Sequence, residues 1–336
     1  MKNPESSANM RRALLLAAAA GVCVHSIPAA AQNNLTYPGK PIRLLVPFSA
    51  GGGIDLLARI TAERLGEALG QTVYVENQAG GGGLIASRMV ANAPADGYTL
   101  IFHSASSAVV NLQSPKILGY DPAKDFAPVA LVAQFPLVLL TNPTVPAKDL
   151  KEFIALVRAN PTKFSYGSSG TGTAIHLATE LFLSMAGIKM QHVPYKGTSA
   201  ALADLLGARI ELLIDGVPPE LGNIASGRVR ALAVTTKTRS DKLPAVPSLA
   251  ESGFPAYNLP FWVGIFAPGK TPKEVIAKVS STLARVVKDP KVQAQFREAG
   301  ADAIGSTPEQ LDQFSKEQIA VYSNVAREAR VNLNER

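Results

Sequence analysis

A chain of 336 residues that is 47% hydrophobic and 18% charged, with 24 prolines, has the length and composition of one large or two medium globular domains. A single cysteine excludes a disulfide scaffold, so the fold must rest on its apolar core. The formal charge of +7 is scattered, and the longest basic cluster (237–242) contains Asp241, which argues against a nucleic-acid surface and leaves a mild positive field suited to anionic ligands.

At the N-terminus, Lys2, Arg11 and Arg12 precede an apolar run (13–24), and Ala29, Ala30 and Ala31 supply a small-residue cleavage site. The run falls short of the ~20 apolar residues of a stable membrane anchor. The pattern predicts a Sec signal peptide spanning 1–31, a mature chain starting at Gln32, and a soluble periplasmic protein. Cys23 follows Val22, not a small residue, so no lipid anchor is expected.

Beyond the leader the chain reads strand, loop, helix, repeated. IRLLVPF (42–48) is an apolar strand, and LLARITAERLGEAL (56–69) places Leu56, Leu57, Ile60, Leu65 and Leu69 on one helical face. VYVEN (73–77) and YTLIFHS (98–104) are further strands around a helix, LIASRMVANA (84–93). FAPVALVAQFPLVLLTN (126–142) is broken by Pro128, Gln134 and Pro136 and reads as an extended segment leaving one lobe for another. The same alternation resumes after Leu150 and continues to VRALAVTT (229–236). It predicts an α/β fold with mostly parallel sheets.

Glycine-rich sequence stands at the strand-to-helix turns: PFSAGGGID (47–55), NQAGGGG (77–83), YGSSGTGT (166–173) and PYKGTSA (194–200). Glycine permits close backbone approach, and a helix N-terminus offers unpaired N–H groups and partial positive charge. In open α/β sheets ligands sit at the carboxyl ends of strands. Two such turns in each half predict a cleft lined by anion-accepting backbone. Lys196 stands at its mouth, while Asp55 suits a first-turn acid and Trp262 a core aromatic.

GIFAPGKT (264–271) satisfies the G-x-x-x-x-G-K-[ST] phosphate-loop pattern. Its surroundings contradict it. Pro272 pushes Thr271 out of the helical region, which makes Thr271 an expected N-cap with Pro272 at the first helical position. Pro268 removes an amide that the loop would need. GSSGT lacks the second glycine of a nucleophile elbow, Thr171 standing in its place. His103, His176 and His192 have no metal-ligand spacing, and no cofactor is expected.

Taken together, YPGKPIRLLVPFSAGGGIDLLAR, VENQAGGGGLIAS, YGSSGTGTAIHLATELF, HVPYKGTSAALADLLGARIE and WVGIFAPGKTP resemble the substrate-binding proteins of tripartite tricarboxylate transporters, the Bug family. The resemblance implies a monomeric, two-lobed periplasmic binding protein of type II-like fold, with two sheets flanked by helices and two hinge crossovers. Lobe 1 would comprise 32–131 and 252–336, and lobe 2 would comprise 132–251. The implied ligand is a small carboxylate (a di- or tricarboxylate, amino acid or aromatic acid) handed to a membrane permease. By position, Phe48, Ser49, Ala50, Gly52, Gly53 and Asp55 would line the first-lobe loop, and Ser168, Thr171, Thr173, Tyr195, Lys196 and Asp215 the second. Two other readings stay open: a sensor partner, and an exported hydrolase with the glycine-rich loops as oxyanion hole. A serine and histidine within hydrogen-bond reach would favour the hydrolase.

Overall fold

The computed structural model describes residues 37–113, 115–161 and 163–333, so the expected signal peptide, its cleavage site and Cys23 lie outside the described residues. Strand β1 (Ile42–Val46) carries Ile42, Leu44, Leu45 and Val46 at 0% exposure, the apolar run of a strand covered on both faces. Helix α1 (Gly53–Leu69) follows. Its buried stripe runs through Leu57, Thr61 and Leu65, which leaves Leu56 on the margin at 37% exposure instead of on the buried face expected for it. Then come β2 (Val73–Asn77), a 3₁₀ turn (Gly81–Gly83), α2 (Leu84–Ala91), β3 (Thr99–Ser104), α3 (Ala105–Val110), α4 (Pro115–Leu118) and β4 (Phe126–Phe135).

The second half of the alternation comprises β5 (Leu137–Thr141), α5 (Leu150–Ala159), β6 (Ser165–Ser168), α6 (Ala174–Ala186), β7 (Gln191–Pro194), α7 (Thr198–Leu206), β8 (Leu212–Gly216), α8 (Val217–Ala225) and β9 (Arg230–Val234). The chain then returns through β10 (Phe261–Pro268), α9 (Lys273–Val286), α10 (Pro290–Glu298), β11 (Asp302–Ala303) and α11 (Pro308–Glu328). One sheet has the order β11-β4-β10-β3-β1-β2 and the other β7-β6-β8-β5-β9. Two sheets flanked by helices make the two-lobed architecture expected from the sequence.

The sheets are less parallel than the alternation predicts. Strand β10 runs antiparallel to β3 and β4, and β5 antiparallel to β8 and β9. Each crossover delivers its strand into the neighbouring sheet from the opposite end, a reversal that hydrophobic periodicity does not report. The first passage between sheets falls at Pro136, between β4 and β5, and not at a 131/132 division. The second runs through 235–260. Thr235, fully buried, stitches the passages together: its hydroxyl donates to the Leu259 carbonyl at 3.0 Å and accepts from the Leu137 amide at 3.1 Å. Helix α11 packs on β4 of one sheet and on α6 beside the other.

The phosphate-loop match dissolves in this frame. Its first five residues belong to β10, and the Gly269 amide donates to the Asp125 carbonyl at 2.9 Å. A Cβ on Gly269 would lie 1.8 Å from the Lys124 carbonyl oxygen, so the loop is pressed against backbone acceptors where a phosphate would need donors. Thr271 does not cap α9 as expected. Its hydroxyl bonds the Pro268 carbonyl at 2.7 Å, and Pro272 itself is the N-cap.

Candidate functional site

The four glycine-rich turns meet in two pairs. The turn after β1 faces the turn before α7: Ser49 Oγ lies 3.0 Å from Ser199 Oγ, and the Ser49 amide donates to the Lys196 carbonyl at 3.4 Å. The approach is close: a Cβ on Gly197 would stand 2.2 Å from Ser49 Oγ, so any larger residue there must displace the Ser49 hydroxyl. The turn after β2 faces the turn after β6, with Gly82 directly against Thr171 and Thr173.

Behind the first pair lies a cavity of about 30 Å³. From the first lobe it is lined by Phe48, Ser49, Gly52, Gly53, Ile54 and Asp55; the facing wall includes Ser169, Ile175, Thr198, Asp215 and Gly216, with Phe135, Leu137 and Phe261 at the crossovers. Among the described residues no lysine or arginine lines it. Gly52 is the N-cap of α1, whose first turn has no side-chain cap, so its free N–H groups and dipole end stand beside the cavity.

Asp55 shapes this wall. Its carboxylate accepts from the Gly51 amide at 3.0 Å, Arg59 Nε at 3.0 Å and Asn77 Nδ2 at 2.9 Å. Burial alone would raise its pKa, but these donors outweigh burial and hold it below the usual carboxylate range. The Gly51 amide is thereby committed to Asp55, and Gly51 itself takes φ +87°, a conformation natural to glycine.

Asp215 is the penultimate residue of β8, on the opposite wall. Its Oδ1 accepts from the Gly216 amide at 2.7 Å, and the Thr198 hydroxyl reaches it. Burial, followed by the charge of nearby Glu220, raises its pKa well above the carboxylate range. Glu220, fully buried in the first turn of α8, is raised by burial too.

The remaining expected residues fall elsewhere. Ala50 is exposed and off the cavity lining. Thr171, Tyr195 and Lys196 line a separate, outer hollow with Gly81, Gly82 and Gly170. Tyr195 bonds Asp204 at 2.7 Å. Thr173 caps α6, accepting from the His176 amide at 3.3 Å.

Ser168 is fully buried, with Oγ 2.7 Å from His192 Nε2 and accepting from the Gly170 amide at 3.1 Å. A serine–histidine pair therefore exists, although no sequence motif announces it. It lacks what a nucleophile needs. Ser168 has no exposed surface for a substrate to reach, and among the described residues no acid orients His192. His192 stacks against both Tyr166 and His176, at 4.9 and 4.2 Å, and burial lowers its pKa to about 4. Ser169, Thr198 and the crossover apolar residues Phe135, Leu137 and Phe261 are cavity residues that the sequence reading missed. Strand alternation is the signal that could have found Ser169: Tyr166 and Ser168 share the face against His192, which turns Ser169 to the other side.

Residues 57–331 match the tripartite tricarboxylate transporter family receptor. The chain belongs to that family. Protein BugT of Bordetella pertussis is 36% identical over 299 residues, covering 89% of this chain and 92% of the relative. Among solved structures, R. palustris Rpa4515 with adipate superposes with TM-score 0.84 at 36% identity, covering 87% and 98% of the two chains. MatC from Rhodopseudomonas palustris with bound malate gives 0.81 at 31% identity, covering 86% and 99%. This receptor therefore has the fold of periplasmic solute-binding proteins, and the hydrolase reading is not favoured. Among the described residues no helix is long and apolar enough to cross a membrane.

Proposed function

We propose that the chain from Gln32 onward is a periplasmic receptor that closes its lobes on a small carboxylate and delivers it to a membrane permease. The observation that carries this reading is the cavity: a helix N-terminus and glycine backbone on one wall, with no basic side chain in the lining. Such a wall receives an anion through N–H groups without an arginine clamp. Similar proteins hold adipate and malate, which supports dicarboxylates as the first candidate ligands to try, ahead of tricarboxylates, amino acids and aromatic acids.

A cavity of about 30 Å³ holds a water or two and no diacid. Loading thus requires the lobes to part about Pro136 and the 235–260 passage. The cross-cleft contacts of Ser49 with Ser199 and Lys196 are single neutral hydrogen bonds, each worth about 1 kcal/mol, weak enough to exchange for ligand. Phe48, Ser49, Gly52, Gly53, Ser169, Thr198 and Asp215 are the proposed contacts, while Lys196, Thr171 and Tyr195 border the entrance. The receptor acts as a monomer without a cofactor.

A thermal-shift screen of carboxylates on the mature protein tests the reading. Adipate or malate should raise the melting temperature by several degrees, as binding to the folded state alone requires. A folded protein that no carboxylate shifts would overturn it. Mass spectrometry of periplasmic protein should find Gln32 first; an intact Met1 or a lipid on Cys23 would contradict the compartment.

A further inference from the structure

The second-lobe wall sets a problem for any anion entering the cavity. Asp215, 4% exposed, lines it, and Glu220, 0% exposed and five residues further along the chain, stands within side-chain hydrogen-bonding reach of it. Glu220 Oε2 accepts from Asn223 Nδ2 at 3.0 Å, but Oε1 is buried without a hydrogen-bond partner. Neither carboxyl enters an ion pair among the described residues.

The charged groups around the pair do not relieve it. Across the cavity on α1, Asp55 is ionised and already matched by Arg59. Lys196, on the loop before α7, is exposed and lines the outer hollow. Arg228, exposed and donating to Asn223 Oδ1, lowers the Glu220 pKa by its charge, but burial outweighs it. Arg297, near the Gly300 backbone that packs on Val217 and Pro218, lines a different hollow with Arg239 and Lys242. An ionised Asp215 in the lining, an ionised Glu220 beside it and a bound carboxylate would thus crowd together, with no lysine or arginine among the described residues that line the cavity. Like charges at such range cannot all ionise, and the two acids titrate as one unit.

We propose that Asp215 and Glu220 share a single proton, and that capture of a carboxylate in the cavity brings this proton site to full occupancy by taking up a proton from solvent. The proton comes from buffer and forms an O–H bond on one carboxyl of the pair, which donates it to the other; no other bond forms or breaks. The pair then selects acids over amines, because an ammonium group would expel the proton instead of requiring it. The coupling rests on the reading that a carboxylate occupies this cavity; the shared proton does not.

Two measurements separate these. The first is the stability of ligand-free protein from about pH 5 to about pH 8. A carboxyl whose pKa is raised on folding contributes stability that is complete below its unfolded pKa and is lost as pH rises through the folded one. The parent should therefore lose stability across the interval more steeply than a chain carrying both Asp215→Asn and Glu220→Gln. The buried histidines titrate in both proteins and cancel. Equal slopes would overturn the shared proton.

The second is calorimetry with adipate in two buffers of different ionisation enthalpy. The parent should take up protons, with affinity falling by up to about tenfold per pH unit; Glu220→Gln should reduce the uptake and the double variant abolish it. Proton release, or affinity that rises with pH, would overturn the coupling. If neither adipate nor malate binds the parent while the stability slopes differ, the coupling falls and the shared proton stands.

Discussion

Asp55 and Asp215 line the same cavity from opposite lobes, and burial is nearly complete for both, at 5% and 4% exposure. Asp55 is surrounded by donors from Gly51, Arg59 and Asn77, which fix its charge and hold the first-lobe turn in shape. Asp215 has one backbone donor, a hydroxyl and a second carboxyl as neighbours. The same residue type at the same depth is thus an anchor on one wall and a titrating group on the other. Burial pushes both acids upward; the donors around Asp55 together outweigh it, and those around Asp215 do not.

The comparison breaks most severely where the two walls meet. A Cβ on Gly52 would lie 3.2 Å from Thr198 Oγ1, so Gly52→Val wedges the walls apart. Overpacking of about 3 kcal/mol should lower carboxylate affinity by a hundredfold or so, measured by calorimetry. Next comes Asp55→Ala, which orphans the Gly51 amide and should cost about 2 kcal/mol of stability in denaturant unfolding. Because the pKa of Asp55 is lowered on folding, its contribution is present above the unfolded value and lost as pH falls through the folded one. The parent should therefore lose its advantage over the variant in acid, opposite in sign to the Asp215 and Glu220 pair.

Ser168→Ala sharpens the contrast between cavity and core. It removes a bond to buried His192, so about 1 kcal/mol of stability should go while ligand affinity stays within error, since Ser169 is the residue on the cavity wall. Lys270→Ala lies away from both walls. It should change neither stability nor binding measurably, and an ATP affinity lost in this variant would revive the phosphate-loop reading.

Much of this layout was legible in the sequence. VYVEN is β2 residue for residue, and glycine at four strand-to-helix turns marked the loops that converge. Pairing direction was not legible, because β5 and β10 owe their orientation to crossovers closed by contacts remote in sequence, such as Thr235 with Leu137 and Leu259. Ser168 and Ser169 are adjacent and alike, and only the position of His192 decides which one faces the cavity. Glu220 sits in VPPELG like any acid of a first helical turn. Its isolation appears only once α8 is packed and Oε1 is found without a partner.

The proposed carboxylate site lies between these walls, on the backbone at the start of α1. Calorimetric titration of the mature protein and of Gly52→Val with adipate and malate tests it most directly, with circular dichroism to confirm the fold. The parent should bind at least one of the two acids, and the variant should lose that binding while remaining folded. Equal affinity in a folded Gly52→Val would place the ligand elsewhere and contradict the account.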